Sequence, residues 1–395
     1  MNQNILILTK DAMCKSYLPV YGNKYWSGKT PNIDELAAKG TVFDYHITAA
    51  PSTVMAFRAM VTGKFAHEQP YSNYTPKEIP GSSSDLFEVA LQKGYKGHII
   101  WDKAWDNMVL RYGNCYGEKT LIHSIPEIRQ GVGCHYNHTD PLKNNDELSQ
   151  KTLQRIVKEV EIITESDPKV LLWIHLPHVI NGRTAYGSDI DLFDTLIGML
   201  RKYFEDDNIF ISADHGNMNA NRGKYCYGFD VNTPSVEIPL ITPRIGNDER
   251  VQQLTSNVDI KSIVFDRIIP EHECVYSDCA YYAQPHRKLV IYKNNFAYIF
   301  NKATGKEELY DIENDRYEQC DLTLNDYHDP DRKLTSSVRE YYFSPYWDSV
   351  NAILEDFRKE KEKVWRNAPR SVEFREKYIR KAKNIAVGIL KKIKR

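Results

Sequence analysis

The chain has 395 residues, of which 42% are hydrophobic and 27% are charged, and its formal net charge is −1. This is the composition of an ordinary globular protein, long enough for one large α/β domain with a smaller appendage or for two domains. The near-zero net charge excludes a general electrostatic attraction to nucleic acid.

The first 245 residues alternate short apolar strands with amphipathic helical patterns. Helix signals include Pro31 at a helix start, Gly40 at its end and the Ser84-Asp85 cap of the next helix. The β-α-β-α order predicts an α/β fold with a doubly wound, mostly parallel sheet flanked by helices. Strands are predicted at 5–8, 97–101, 170–175 and 209–213, and helices at 31–39, 85–93, 147–164 and 189–204.

A different pattern follows residue 245. Three short alternating runs at 288–292, 296–300 and 308–312 predict a small antiparallel sheet, and the remaining C-terminal segment reads as a helical tail. The predicted organisation is therefore a core over 1–245, a subdomain with the small sheet over 246–330 and a helical basic extension over 331–395.

Metal-ligating side chains follow two of the predicted strands. Asp214 and His215 come directly after the apolar run at 209–213 and precede Gly216, and Asp11 follows the first strand. Carboxylate and imidazole groups suit a divalent transition metal. Because parallel strands end at one edge of a sheet, these residues predict a metal site there.

Several segments in order resemble the sulfatase branch of the alkaline phosphatase superfamily. The likeness runs from about residue 4 to 322 and implies a hydrolase or transferase of charged esters. The segments that carry it are Asp11 to Gly22, the stretch 30–52, Thr62-Gly63, 193–198, 256–260 and 307–322.

The nucleophile region departs from the family pattern. Sulfatases carry a Cys or Ser, converted to formylglycine, in a C/S-x-P-x-R motif, whereas here Thr53, Met55 and Phe57 occupy the three defining positions. Threonine cannot yield the aldehyde, and phosphodiesterases and phosphotransferases of the superfamily use threonine at this place. The resemblance thus implies Thr53 as a nucleophile activated by a metal; the alternative Ser52 lies one residue out of register, and Thr53 could also cap the following helix.

The resemblance implies that Asp11, Thr53, Asp214 and His215 bind one divalent metal ion. Members with two metals need a further Asp and two His, and the region that should supply them has His175 and His178 but no Asp before Asp189. We therefore favour one ion over two. The mixed oxygen and nitrogen ligands favour Mn²⁺ or Zn²⁺, with Ca²⁺ or Mg²⁺ as alternatives.

Three further residues are candidates for substrate binding. His178 follows a predicted strand and could act as the general acid for the leaving group, since a histidine pKa near 6.5 suits that role. Lys103 and Lys224 lie near positions where the family has anion-contacting residues, and each could instead be a solvated surface lysine. His175, inside a strand, could be a core histidine, and Arg58 is expected to be structural.

The C-terminal segment 370–395 carries ten Lys or Arg against two Glu. Its apolar residues recur at spacings of three or four, so it could form a basic amphipathic helix on an anionic membrane surface or a helix packed on the protein. The N-terminus has no signal-peptide pattern, and the seven scattered cysteines lack CxxC pairs and favour reduced thiols. We therefore expect a cytoplasmic protein, peripheral to the inner membrane face if the tail binds lipid.

Taken together, the residues and the resemblance favour a metal-dependent hydrolase or transferase of phosphate esters, of phosphodiester type, acting on a small-molecule, glycan or lipid-linked ester. The first alternative is a sulfuric ester hydrolase that uses direct metal-activated attack. The second is a binding module that keeps the fold without catalysis.

Overall fold

The structure is a computed structural model. It describes residues 3–22, 29–69, 81–101, 116–117, 119–125, 146–176, 190–218, 221–224, 227–279, 288–323 and 334–367, together with residue 385. Over 146–149 and 334–347 it describes the backbone only.

An eight-stranded sheet forms the centre of the molecule. Its strand order is β4-β3-β5-β1-β6-β7-β2-β8, and every neighbouring pair is parallel except the two that involve β7. The predicted doubly wound, mostly parallel sheet is therefore confirmed. The strands are β1 (Ile5–Lys10), β2 (Thr41–Ile47), β3 (Lys96–Trp101), β4 (Leu121–Ser124), β5 (Val170–Leu176), β6 (Ile209–Ala213), β7 (Leu240–Thr242) and β8 (Arg250–Ser256).

Helices cover both faces of this sheet, and the alternation along β1 shows why. Leu6 and Leu8 point into one core layer, while Ile5 and Ile7 point into the other. The first layer is closed by α1 (Pro31–Lys39), α4 (Asp146–Ser166) and α5 (Ile190–Leu200), and the second by α2 (Thr53–Thr62), α3 (Leu86–Gln92) and α7 (Ile260–Asp266); the short α6 (Thr233–Val236) precedes β7.

A separate four-stranded antiparallel sheet follows, in the order β12-β11-β10-β9. One of its faces packs against α8 (Leu334–Asn367) through Leu354 and Phe357. The predicted small sheet and C-terminal helix are therefore present, whereas nearly all of the basic tail lies outside the described residues. The strands are β9 (Val275–Asp278), β10 (Lys288–Lys293), β11 (Phe296–Asn301) and β12 (Lys306–Asp311).

The domain boundary at residue 245 stays a prediction, although two elements beyond it belong to the large sheet or pack on it. β8 pairs with β2 in the large sheet, and α7 packs on that sheet, so the core continues through Asp266. β8 is an edge strand with a polar sequence, and its burial is mixed along its length rather than that of a continuous apolar run. No helix among the described residues is both long and apolar enough to cross a membrane.

Candidate metal centre and nucleophile

The carboxyl edge of the large sheet brings three predicted metal ligands together. Because β1 and β6 are parallel neighbours with Lys10 opposite Ala213, the next residues, Asp11 and Asp214, emerge side by side. One ligand atom each of Asp11, Asp214 and His215 lie within 4.8 Å of one another, and all three side chains are buried. Strand pairing alone thus brings together Asp11 and Asp214, which lie about two hundred positions apart in the sequence.

Hydrogen bonds fix the orientation of these ligands. Oδ1 of Asp214 accepts from the backbone N–H groups of Ala12 at 3.0 Å and His215 at 2.8 Å. Nδ1 of His215 lies 2.8 Å from the carbonyl oxygen of Gly216 and must donate to it, because a carbonyl only accepts. The other imidazole nitrogen, Nε2, therefore presents a lone pair to the two carboxylates.

That lone pair faces Asp11 Oδ1 at 3.6 Å and Asp214 Oδ2 at 3.4 Å. Three electron-rich groups converging in a buried site repel one another unless a cation or a proton lies between them. An imidazole nitrogen with two carboxylates is a suitable set for Mn²⁺ or Zn²⁺. The residues therefore fit a divalent metal ion.

The pKa values of these groups agree with that interpretation. Burial raises the pKa of Asp214 to about 7, although the Thr53 hydroxyl and the two backbone N–H groups oppose the rise. Burial lowers the pKa of His215, while the charge of Asp11 raises it. The protein alone thus disfavours the ionised carboxylate here, and a bound cation would reverse that preference.

The backbone near each aspartate is constrained, by a left-handed conformation after Asp11 and by close packing after Asp214. Ala12 adopts a left-handed φ of 56°, uncommon for a residue with a side chain, and this turns its N–H toward Asp214. Gly216 packs against α6, where a Cβ atom would lie 2.0 Å from the carbonyl oxygen of Pro234. Only glycine fits at position 216. The close packing of its backbone on α6 holds the neighbouring His215 in place.

Thr53, at the start of α2, lies beside the candidate metal ligands. It is the first residue of α2, it is buried, and its Oγ1 lies 3.2 Å from Nε2 of His215. The N-terminus of a ten-residue helix also favours a negatively charged group at this point. Ser52 is the N-cap residue and has no described contact with His215.

One turn further along α2, Phe57 forms part of an aromatic cluster. Its ring centroid lies 4.6 Å from that of Trp173 and 4.5 Å from that of His175, and it stacks on Trp101. The position at which the sulfatase pattern has an arginine is therefore occupied by a fully buried aromatic side chain. Arg58, next to it, is also buried.

His175 belongs to the same cluster. Its Nδ1 lies 2.9 Å from Thr9 Oγ1, which accepts a hydrogen bond from Trp173 Nε1 at 2.8 Å. Burial and the nearby charges of His215 and Lys10 hold the pKa of His175 well below its usual range. The structure thus places a neutral histidine in the core beside the candidate metal centre, as expected for a core histidine.

Of the three predicted substrate-binding residues, Lys224 is the one that the structure describes. His178 and Lys103 lie outside the described residues. Lys224 is half-exposed and forms an ion pair with Asp230 at 3.0 Å, and Asp230 also pairs with Lys288. In the described part of the chain, Lys224 has no contact with the metal ligands, so its role stays a prediction.

Sequence reasoning missed Tyr227, whose ring centroid lies 4.4 Å from that of His215. It sits in a loop without regular secondary structure, and no periodicity or motif marks it. Its ring covers one face of the imidazole and is expected to restrict the orientation of His215.

Glu318 is a second missed residue, and it supports α6. The side chain is fully buried, the residue has a left-handed φ of 55°, and Oε1 accepts hydrogen bonds from the N–H and the hydroxyl of Thr233. Oε2 accepts from Asn232 at 2.6 Å. The α6 segment in turn accepts the N–H of Gly216 at Ser235 O, at 2.8 Å. Glu318 therefore supports the loop that carries His215.

Replacing Glu318 tests this support. We expect Glu318→Ala to destabilise the protein by about 2–4 kcal/mol, because it leaves buried donors of Thr233 and Asn232 unsatisfied. Urea unfolding would measure the loss, and Glu313→Ala, an exposed site in the preceding turn, is the control. An equal stability of both variants would contradict the supporting role.

The same residue predicts a pH dependence. Burial raises the pKa of Glu318 from 4.5 to about 7, so the folded state binds the proton more tightly than the unfolded state. Its contribution to stability is complete at low pH and is lost as the pH rises from about 4.5 to 7. Glu318 thus contributes a negative slope to the unfolding free energy as a function of pH in this window. The measured slope should be less negative in Glu318→Gln than in the unaltered protein.

Comparisons with known proteins show the family and the fold of the chain. The sequence model of the Sulfatase family matches residues 3–267. N-acetylgalactosamine-6-sulfatase from Homo sapiens is 34% identical over 263 residues, which cover 54% of this chain and 50% of that protein. The chain thus spans about half the length of this curated relative.

Two solved structures share the fold over nearly the whole chain. A 2-O GAG sulfatase superposes with a TM-score of 0.66 at 15% identity, covering 93% of this chain and 94% of its own. The phosphonate monoester hydrolase of Agrobacterium radiobacter superposes with a TM-score of 0.58 at 15% identity, covering 89% and 95%. At this identity the two likenesses show the fold alone.

Proposed function

The chain belongs to the sulfatase family of the alkaline phosphatase superfamily, and from that premise we propose that it is a metal-dependent hydrolase or transferase of phosphate-type esters with Thr53 as nucleophile. The observation that carries the proposal is the position of Thr53 Oγ1, 3.2 Å from His215 Nε2 and at the first residue of α2. A threonine here cannot become formylglycine, since its oxidation would give a ketone rather than an aldehyde.

Asp11, Asp214 and His215, with Thr53, would hold one divalent ion, for which Mn²⁺ or Zn²⁺ is favoured and Ca²⁺ or Mg²⁺ remain alternatives. When bound, such an ion lowers the pKa of a coordinated hydroxyl and neutralises charge on the reacting ester.

The reaction follows two displacements at phosphorus. Thr53 Oγ1 gives its proton to solvent water and attacks phosphorus, the bond from phosphorus to the leaving alcohol oxygen breaks, and His178 donates a proton to that oxygen. Water, or an acceptor alcohol in a transferase, then gives a proton to the neutral His178 and attacks phosphorus; the bond from phosphorus to Thr53 Oγ1 breaks, and Oγ1 takes a proton from solvent, which restores the hydroxyl. N–H groups in the first turn of α2 can stabilise the negative charge that develops near Oγ1.

A panel of substrates tests this assignment. We expect a phosphodiester or a phosphonate monoester to be turned over with a kcat/KM at least about tenfold above that for an aryl sulfate. Relatives named as sulfatases support the rival function of a sulfuric ester hydrolase, in which Thr53 or water attacks the sulfate ester directly. Aryl sulfate turnover that dominates the panel would favour that rival.

The non-catalytic alternative predicts a different observation. Metal analysis of protein purified without chelator should give close to one transition-metal ion per chain. A protein that stays metal-free when offered Mn²⁺ and Zn²⁺ would favour a binding module.

For the substrate and the location, we infer a glycan or lipid-linked ester at the cytoplasmic face of a membrane. Relatives named N-acetylgalactosamine-6-sulfatase and 2-O GAG sulfatase support a glycan. The ten cationic residues of 370–395 support contact with anionic lipid, because each cation near such a surface contributes about 1 kcal/mol.

Vesicle flotation tests the membrane contact. Full-length protein should float with phosphatidylserine-containing vesicles at low salt and be released at 1 M salt, where the Debye length is only about 3 Å. A chain truncated after residue 369 should not float. Equal recovery of both proteins would contradict the proposed attachment.

A further inference from the structure

A charged pocket is lined by the turn after β1, by α6 and by residues of β2 and β8. It is a cavity of about 150 Å³, room for several water-sized groups, and no ligand of the metal centre lines it. Its charged lining consists of three cations and two carboxylates: Lys15, Arg250, Arg316, Asp44 and Glu237.

The carboxylates are shared among more cations than they can neutralise. Lys15 Nζ and Arg316 Nη2 approach the same Glu237 Oε1, at 2.7 and 2.8 Å. Both also donate to the backbone carbonyl of Asp44, whose carboxylate pairs with Arg250. One positive charge is therefore left over.

The three cations differ in their exposure to water, because the side chains of Arg250 and Arg316 are 42% and 35% exposed whereas Lys15 is buried. Lys15 and Glu237 are more than nine-tenths buried; burial lowers the pKa of Lys15, the charge of Glu237 opposes this shift, and the neighbouring guanidinium of Arg316 adds to it. The pocket therefore combines one buried cation with two partly exposed ones, and the two carboxylates leave one positive charge without a partner. Cations in such surroundings are normally balanced by a negative partner.

Donors for such a partner are present. Nε and Nη2 of Arg316 bond to Glu237 and Asp44, whereas Nη1 has no hydrogen-bond acceptor among the described residues. Lys15 has three N–H groups and two acceptors in the same part of the structure. The hydroxyl of Ser16 adds a polar group to the lining.

We propose that this pocket binds a tetrahedral oxyanion, inorganic phosphate or sulfate, or the same group on a larger molecule, through Lys15, Arg250 and Arg316. Cations approach from three separate segments: the 3₁₀ turn after β1, strand β8 and the turn after β12. Several oxygens directed to different sides suit this arrangement better than the two oxygens of a carboxylate.

Titration calorimetry and thermal unfolding with phosphate, sulfate and acetate at constant ionic strength test the proposal. Phosphate or sulfate should bind more tightly than acetate and raise the melting temperature. Arg316→Gln, which leaves the Lys15–Glu237 pair intact, should weaken phosphate binding about tenfold, the loss expected for one charge-assisted contact. Arg244→Gln, an arginine outside the pocket, is the control and should bind as the unaltered protein does.

Glu237→Gln gives the opposite sign. It removes the competing carboxylate, so phosphate should bind more tightly and raise the melting temperature by more than in the unaltered protein. A purely structural ion-pair network predicts no such gain. If Glu237→Gln does not fold, Arg250→Gln takes its place and should weaken binding.

The catalytic centre could also bind these anions, and Asp214→Asn separates the two sites. Phosphate binding that survives in Asp214→Asn and is lost in Arg316→Gln supports the pocket. Binding that is lost in Asp214→Asn, or that is unchanged in Arg316→Gln, overturns it. To distinguish free anion from a larger ligand, phosphate is compared with a sugar phosphate, and tighter binding of the latter identifies the larger molecule.

Discussion

Thr53→Ala is expected to reduce turnover of a phosphodiester at least about 10³-fold, the order of loss seen when a covalent nucleophile is removed. Thr53→Ala removes the hydroxyl beside the candidate metal ligands and one buried methyl group, a small loss of buried area, so the fold should be retained. Steady-state kinetics give the turnover, and circular dichroism with thermal unfolding checks the fold.

Thr53→Ser is the matched variant, because it keeps an oxygen at the same atom position. It should retain activity within about tenfold of the unaltered enzyme. Full turnover by a folded Thr53→Ala protein would instead show that water or another group attacks the ester.

Asp214→Asn is expected to lower metal affinity by more than about 100-fold and to abolish metal-dependent turnover, because a neutral amide replaces a charged ligand. The amide oxygen can still accept the N–H groups of Ala12 and His215. In the metal-free protein the variant should therefore be at least as stable, since it removes a buried carboxyl whose ionisation burial opposes.

Calorimetry with Mn²⁺ and Zn²⁺ measures the affinity, and urea unfolding with chelator measures the stability. Asp34→Asn, at the start of α1 and away from the metal ligands, is the control and should bind metal normally. Unchanged metal binding by Asp214→Asn would remove Asp214 from the site.

Much of the centre could be predicted because it depends on local signals. Asp11 and Asp214 each follow a buried apolar run, and parallel pairing of β1 with β6 is enough to bring them together. Thr53 follows from the resemblance, because it occupies the nucleophile position of the family pattern in the segment that leads to Thr62-Gly63, where α2 ends. The alternating helices and strands likewise predicted the sheet and its two helical layers.

Other features depend on long-range packing that leaves no local pattern. β7 has three residues and β8 is a polar edge strand, so neither has a clear apolar run, and both are recognised only by their partners in the sheet. Glu318 contacts Thr233 across 85 positions. Its burial as a carboxylate runs against ordinary expectation for glutamate and follows only from the folded loop.

The stereochemistry at phosphorus tests the covalent mechanism most directly. A chiral phosphorothioate diester is hydrolysed in ¹⁸O-labelled water, and the configuration of the product is determined. Two successive in-line displacements, first by Thr53 and then by water, each invert phosphorus, so the account predicts net retention. Net inversion would show a single direct attack by water and would contradict phosphoryl-Thr53 as an intermediate.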